Sequence, residues 1–367
     1  LNTDAPSSWT NFGGTASLEY DFSGGAGTTV FTAVGAIQNG DFDPTLVYEL
    51  SANHGTARVQ RVTGDQIGWG GRNVSGIGSD LPPITVFGPD MRPPRHTRLR
   101  AGLRQKLTET TALFVGGSLR QTDFLPRRRD LNLAVAPIGV DGDGRPLFGE
   151  LEKIGSVVVA DGLGDRRFSA FDAIWSLDPD GESEYRGVTV GLEHTSGPLD
   201  LTASYTRSTT EDNWYGAAAG AVDAALVPGL PQSAGVWEEG VSDFDVPDRF
   251  VATALLAAGE RISVGATYRF ASGLPFTPGY RPGVDVNGDG SGFNDPAFVP
   301  SLGDLGGLTS EWSCLQDLAG AFATRNACRG DARHTLDLRL QIGLPFGGGR
   351  VARIVVDALD LLESEEG

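Results

Sequence analysis

Six consecutive residues have the spacing of a cation loop. In Asp285-Val-Asn287-Gly-Asp289-Gly290, side-chain oxygens stand at positions 1, 3 and 5 and glycine at 6, the opening half of a calcium loop. The bidentate glutamate that closes such a loop at position 12 is missing. Pro296 stands there, with Asp295 one place early. A helix-flanked calcium hand is therefore excluded. Two readings stand: a looser calcium site held by Asp285, Asn287 and Asp289, or a plain turn, since Asp, Asn and Gly favour turns by themselves.

The other reactive residue types are sparse. The two cysteines, Cys314 and Cys328, lie 14 positions apart in one loop. That spacing suits a disulfide, worth roughly 3 kcal/mol in the chain-entropy account and implying an oxidising compartment. Two free thiols are the alternative. Arg127-Arg-Arg129 and Arg166-Arg167 could bind lipopolysaccharide phosphates or another anion, or be solvated charge runs. Arg329-Gly-Asp331 matches an adhesion tripeptide, too short to carry weight. His54, His96, His194 and His334 are scattered without partner spacing, and no nucleophile elbow, zinc helix or phosphate loop occurs. No residue set is catalytic, so the expectation is a protein that is not an enzyme, with no cofactor beyond the calcium option.

Composition narrows the class. The chain has 367 residues and a formal charge of −18, from Asp+Glu 47 against Lys+Arg 29, which argues against nucleic acid as a partner. Charged residues at 21% and hydrophobic residues at 40% are too apolar for disorder, and 52 glycines lean all-β. No run of 18 apolar residues forms a membrane helix. The chain starts at Leu1 and its one methionine is Met91, as expected of a processed or excerpted sequence.

The elements that would hold these residues alternate with period 2. In 97–107, Leu99, Ala101, Leu103 and Leu107 share one face, and Arg98, Arg100, Arg104 and Lys106 the other. In 261–270, Ile262, Val264, Ala266, Tyr268 and Phe270 oppose Arg261, Ser263, Gly265, Thr267 and Arg269. Leu336, Leu338, Leu340, Ile342 and Leu344 share a face, with Arg339 opposite. Such strands run to about nine to eleven residues, enough to cross a bilayer at a tilt, where sandwich strands are nearer five or six.

Connections alternate short and long. The long ones fall at about 64–96, 122–184, 210–247 and 272–333. That parity predicts an all-β, antiparallel, up-and-down transmembrane β-barrel with short periplasmic turns and long extracellular loops. The twelve or so expected strands include 44–52 and 56–63, and the partial alternation of 168–177 suggests that the 122–184 loop holds a hairpin of its own. The whole of 1–367 reads as one partial barrel domain, part of a larger barrel. Arg98, Arg100, Arg104, Arg261, Arg269 and Arg339 would line its lumen. Tyr20, Phe22, Phe31, Tyr48, Tyr185, Tyr205 and Tyr268 are candidates for interfacial aromatic girdles.

The block from Ser183 to Asp360 resembles the barrel of TonB-dependent outer-membrane receptors, in particular the Oar-like branch. The resemblance rests on Ser183-Glu-Tyr-Arg-Gly187, Ala203-Ser-Tyr-Thr-Arg-Ser208 with Asp212-Asn213, Ser242-Asp-Phe-Asp-Val-Pro247, Ser272-Gly-Leu-Pro-Phe-Thr-Pro278, the acidic turn at 285–290, Asn294-Asp-Pro-Ala-Phe298, and Arg325-Asn-Ala-Cys-Arg-Gly330. The first half fits through its strand pattern and Arg145-Pro-Leu-Phe-Gly149. The plug domain and TonB-engaging segment of that family are not visible in these residues, which implies a fragment of such a receptor.

What the resemblance implies is a barrel in the bacterial outer membrane that takes up a ligand. Its partners would be outer-membrane lipid and lipopolysaccharide, an unidentified ligand, and the TonB system only through a plug. A plugless passive porin and a secreted soluble β-rich binding or adhesion module are the competing expectations.

Overall fold

The computed structural model describes residues 13–22, 29–39, 84–88, 90–132, 139–148, 150–154, 157–161, 167–171, 174–213, 239–279, 287, 296–301, 313–348 and 350–362. Ten strands form one antiparallel path. They are β1 (Gly13–Asp21), β2 (Thr29–Asn39), β3 (Arg95–Lys106), β4 (Thr111–Asp130), β5 (Ile174–Ser196), β6 (Leu199–Asp212), β7 (Asp248–Ala258), β8 (Ile262–Ala271), β9 (Arg333–Phe346) and β10 (Arg350–Ala358). Each pairs with its neighbour in this series, so the sheet runs up and down as expected.

Among the described residues the sheet holds twelve strands, and the ten on the path fall where ten of the expected strands do. The two strands off the path are Ile84–Phe87, parallel to the start of β5, and Gly240–Val241, beside the end of β6. The segments 44–52 and 56–63 lie outside the described residues. Among the described residues, β1 and β10 pair on one side only.

Register sorts the side chains into two faces, since residues directly opposite in a pair point the same way. One face is apolar through the middle of the sheet, with Glu184, Arg186 and Arg207 on it toward the long-loop end. It carries Leu99 beside Leu119, Leu103 beside Val115 and Val190, and Val264 beside Leu340 and Val356. These side chains are not core: Leu99 is 52% and Val188 54% exposed. The other face carries Arg98, Arg100, Arg104, Arg120, Arg269 and Arg339 among Ser and Thr.

The parity of connections holds at both ends. The connections between path strands are short at 22–28, 107–110, 197–198, 259–261 and 347–349, and long at 40–94, 131–173, 213–247 and 272–332. Gly197, Gly259 and Gly348 adopt φ of 47°, 74° and 79°, the left-handed conformation that tight hairpin turns demand. The turn at 259–261 corrects one expectation. Arg261 belongs to the turn rather than to β8, because Ala258 pairs with Ile262 and three residues close the hairpin. Its carbonyl accepts the Gly343 N–H at 2.6 Å.

The first half of the long-loop end also differs. The stretch 122–184 is not all loop: β4 and β5 have 20 and 23 residues and rise together well past their neighbours. The stretch does hold hairpins of its own, Glu150–Ile154 with Val157–Asp161 and Gly139–Val140 with Pro146–Leu147, but not at 174–177, which lie between β4 and Ile84–Phe87. That third strand covers an apolar cluster of Phe87, Met91 and Leu177, Leu177 being only 1% exposed. Among the described residues such burial is concentrated at this end, where the chain leaves the two-faced sheet.

In a bilayer the two faces should respond oppositely to charge. Leu340→Lys places a cation on the apolar face and should lower unfolding stability in lipid vesicles by about 2–4 kcal/mol. Gln341→Lys, one residue along on the polar face, should cost a small fraction of that. Urea titrations of both variants measure it; equal costs would refute the assignment of faces.

Candidate functional site

Two features of the sheet are candidates for function: the arginine-bearing polar face and the structure built by the long loops. The polar face is braced across strands. Arg104 bonds Glu193 at 2.6 Å, Arg269 bonds Asp337 at 2.7 Å and Arg339 bonds Asp357 at 2.8 Å. Thr189 and Thr206 hydroxyls meet at 2.8 Å. Of the expected lumen-lining residues, Arg98, Arg100, Arg104, Arg269 and Arg339 share this face, and Arg261 is in a turn. Arg120 joins the group. Its neighbours in sequence do not single it out; its cross-strand partner Arg98 does.

Of the expected girdle residues, Tyr20, Phe31, Tyr205 and Tyr268 fall on the apolar face, and Tyr185 falls on the polar one. Phe22 packs edge-on against Tyr20 at 4.6 Å, and Tyr48 lies outside the described residues. Phe250 and Phe270 complete a cross-strand row from Tyr205 to His334, on the side of the long loops.

Near that row the long loops are clasped to the strands and to each other. The turn Ser242-Asp-Phe-Asp-Val-Pro247 folds over the end of β6. Ser242 N–H donates to the Thr210 carbonyl at 2.9 Å and Ser208 N–H to the Pro247 carbonyl at 2.8 Å. Asp245 accepts the Thr210 N–H at 2.6 Å, so a carboxylate replaces the missing strand partner. The segment Arg325–Gly330 then docks on this turn. Arg325 donates to the Asp212 carboxylate at 2.5 Å and to its carbonyl at 2.6 Å, both side chains only 2% exposed. Asn326 donates to Asp243 at 2.6 Å and to the Val241 carbonyl at 2.7 Å. Arg329 pairs with Asp245.

Two of the motifs that carried the family resemblance are therefore physical partners, one supplying acceptors and the other donors. A third, Ser272–Pro278, lies alongside. Pro275–Phe276 pairs with Cys328–Arg329, and Gly273 approaches Gly330 so closely that an added Cβ would sit 1.8 Å from its carbonyl oxygen. No side chain fits there. Cys328 is joined to Cys314 by a disulfide, with Cα atoms 5.4 Å apart. It ties the short helix Cys314–Asp317 over a small core of Val299, Leu318 and Ala323.

The 131–173 connection reaches the same structure. Buried Arg145 donates to the Pro296 carbonyl at 2.6 Å and lies over the Phe322 ring at 4.9 Å. Phe148 N–H donates to the Asn287 carbonyl at 2.7 Å. Asn287 is fully buried, whereas Asp285 and Asp289, the other residues of the calcium expectation, lie outside the described residues.

In the first arginine run, Arg127 and Arg129 are internal braces. Arg127 is buried and forms a bidentate pair with Asp180, at 2.8 and 2.5 Å. Arg129 lies 3.8 Å from Asp178 and 3.7 Å from Asp180; in the second run Arg167 is exposed and only its backbone N–H is engaged, with the Asn132 carbonyl. Arg329 of the adhesion-like tripeptide is likewise occupied within the clasp. Neither a free phosphate-binding patch nor a solvated charge run describes Arg127, because the acids that neutralise it come from β5.

An up-and-down sheet with one exposed apolar face, short turns at one end and structured loops at the other is the wall of a membrane barrel. The sequence matches the family model for the outer membrane beta barrel domain over residues 8–363. The chain belongs to that family. Its place is the bacterial outer membrane, with the apolar face toward lipid. Among solved structures, the barrel domain is similar to the outer membrane transporter YddB from Escherichia coli, at 13% identity and TM-score 0.49, over 92% of this chain and 35% of that one. It is also similar to the ferric-catecholate import receptor Fiu from Escherichia coli K12, at 11% identity and TM-score 0.34, over 91% of this chain and 41% of that one. The chain thus spans well under half the length of either structure. No curated protein matches it.

The clasp yields a sharp expectation. Arg325→Ala removes the guanidinium from a buried carboxylate and should destabilise loop docking by about 3–5 kcal/mol. Hydrogen exchange should rise in residues 239–247 and 272–279 and stay unchanged in β1 to β4. Protection lost uniformly, or nowhere, would contradict the clasp.

Proposed function

We propose that this chain is a sector of a ligand-uptake barrel in the outer membrane, of the TonB-dependent receptor kind that its motifs resemble. The observation that carries the reading is the clasp. The described parts of three long connections meet in one assembly with its own disulfide, apolar core and buried ion pair. Specific recognition favours loops held rigidly by a scaffold, and here the scaffold is the ends of β4 to β9.

In this reading the outer loops capture the ligand, the polar face lines its path, and the chain does no covalent chemistry. Lipopolysaccharide surrounds the loop end. Energy would come from TonB acting through a plug domain, as in the receptors it resembles.

The test compares spent-medium metabolite profiles of cells with and without the full gene. Gene-dependent depletion of a specific solute, abolished by a protonophore, is the expected result. Depletion indifferent to the protonophore would replace the receptor reading with that of a passive pore.

A further inference from the structure

The polar face contains a charge imbalance that its ion pairs do not resolve. Arg104, Arg269 and Arg339 each hold a carboxylate. Arg98, Arg100 and Arg120 have no ion-pair partner among the described residues, although the chain as a whole carries −18. They are also mutual neighbours. Arg98 stands directly opposite Arg120, and Arg100 opposite Ser118. Directly opposed side chains start about 5 Å apart at Cβ, and like charges there are destabilising.

The rows that hold them supply no acid. Arg98 is flanked by Ala36 and Arg120 by Tyr185; Arg100 is flanked by Val34, and Ser118 by Gly187. Tyr185 leans over Gly187, its hydroxyl oxygen only 2.5 Å from where a Cβ would be. The local surface is therefore three guanidinium groups with hydroxyls from Ser118 and Tyr185, on a floor kept low by glycine. It lies one row below His96, Thr122 and Asp212, and so just inside the long-loop end.

A cluster of cations held together at a cost, while every brace nearby is paired, is organised for a counter-charge that comes from outside. The structure assigns Arg98, Arg100 and Arg120 as a binding site for a small solute bearing phosphate or carboxylate groups. Guanidinium forks match both anions with paired hydrogen bonds. The site rests on reading the polar face as the lumen of the uptake barrel. It makes an anionic ligand the class that the barrel accepts.

The experiment uses the full chain refolded in zwitterionic detergent and, in parallel, inserted into lipid vesicles. Inorganic phosphate and citrate are titrated by calorimetry at constant ionic strength set with chloride. Saturable heat is expected with at least one of them, and the tighter of the two identifies the preferred group. Arg98→Gln and Arg120→Gln should each weaken binding about tenfold or more, the loss of one strong charge-assisted contact. Arg104→Gln, which removes the same charge from a paired position on the same strand, should bind as the wild type does. Arg100→Gln serves where either of the first two does not refold.

Without anion, Arg120→Gln should unfold at the same or higher urea concentration than wild type, since it relieves repulsion. Phosphate should raise the wild-type midpoint above that of the variant. A membrane-inserted chain that shows no saturable heat with either anion overturns the site alone. Equal weakening by Arg104→Gln also overturns it, by reducing it to general charge attraction. A chain that stays out of the vesicles overturns the lumen reading and the site with it.

Discussion

A chain that crosses lipid as strands must satisfy every backbone hydrogen bond sideways and give every second side chain to hydrocarbon. That double requirement shapes the rest of this molecule. It fixes an unbroken series of antiparallel pairings from β1 to β10. It fixes register as well, because a slip of one residue would turn Arg98 and Arg100 into the bilayer and Leu99 out of it. It also explains why the sheet has so little core of its own. The buried apolar residues gather at the long-loop end, around Phe87, Met91 and Leu177 and around Val299, Leu318 and Ala323.

Once the wall is set by lipid, the loops must be stabilised by other means. They are held by charge rather than by apolar area. Arg325 with Asp212, Arg329 with Asp245 and Arg127 with Asp180 each join segments far apart in sequence. Buried pairs of this sort contribute little net stability but penalise any arrangement that separates them. They suit a loop assembly that must keep one geometry above a mobile membrane. The disulfide and the close approach of Gly273 to Gly330 serve the same end, since both exclude alternatives rather than add contact area.

The wall was legible in the sequence because alternation is local: Leu99 and Arg98 declare their faces within a dozen residues. The alternation of short and long connections was legible for the same reason. Pairing was not, since it links distant segments. Residues 174–177 resembled a minor hairpin because their second partner, Ile84–Phe87, lies about ninety residues upstream, beyond the reach of any periodicity. Arg127 resembled a phosphate patch because Asp180 is 53 positions away. Arg325 and Asp212, separated by 113 positions, stand in different motifs with nothing local to join them. Complementary charge in two motifs, Ser242–Pro247 with its acids and Arg325–Gly330 with its arginines, was the one signal that could have joined them. Arg261 alternates with β8 in sequence yet lies one residue outside it, because the hairpin closes at Ala258 and Ile262.

The central claim is that one face of this sheet meets lipid and the other meets water. The most direct measurement attaches a fluorophore to single cysteines introduced at Leu99, Val190 and Leu340, and at Ser118, Thr189 and Gln341, in protein inserted into vesicles. The account predicts that brominated lipid quenches the first three and leaves the second three bright, while aqueous iodide does the reverse. Equal quenching of both sets by either agent would contradict it.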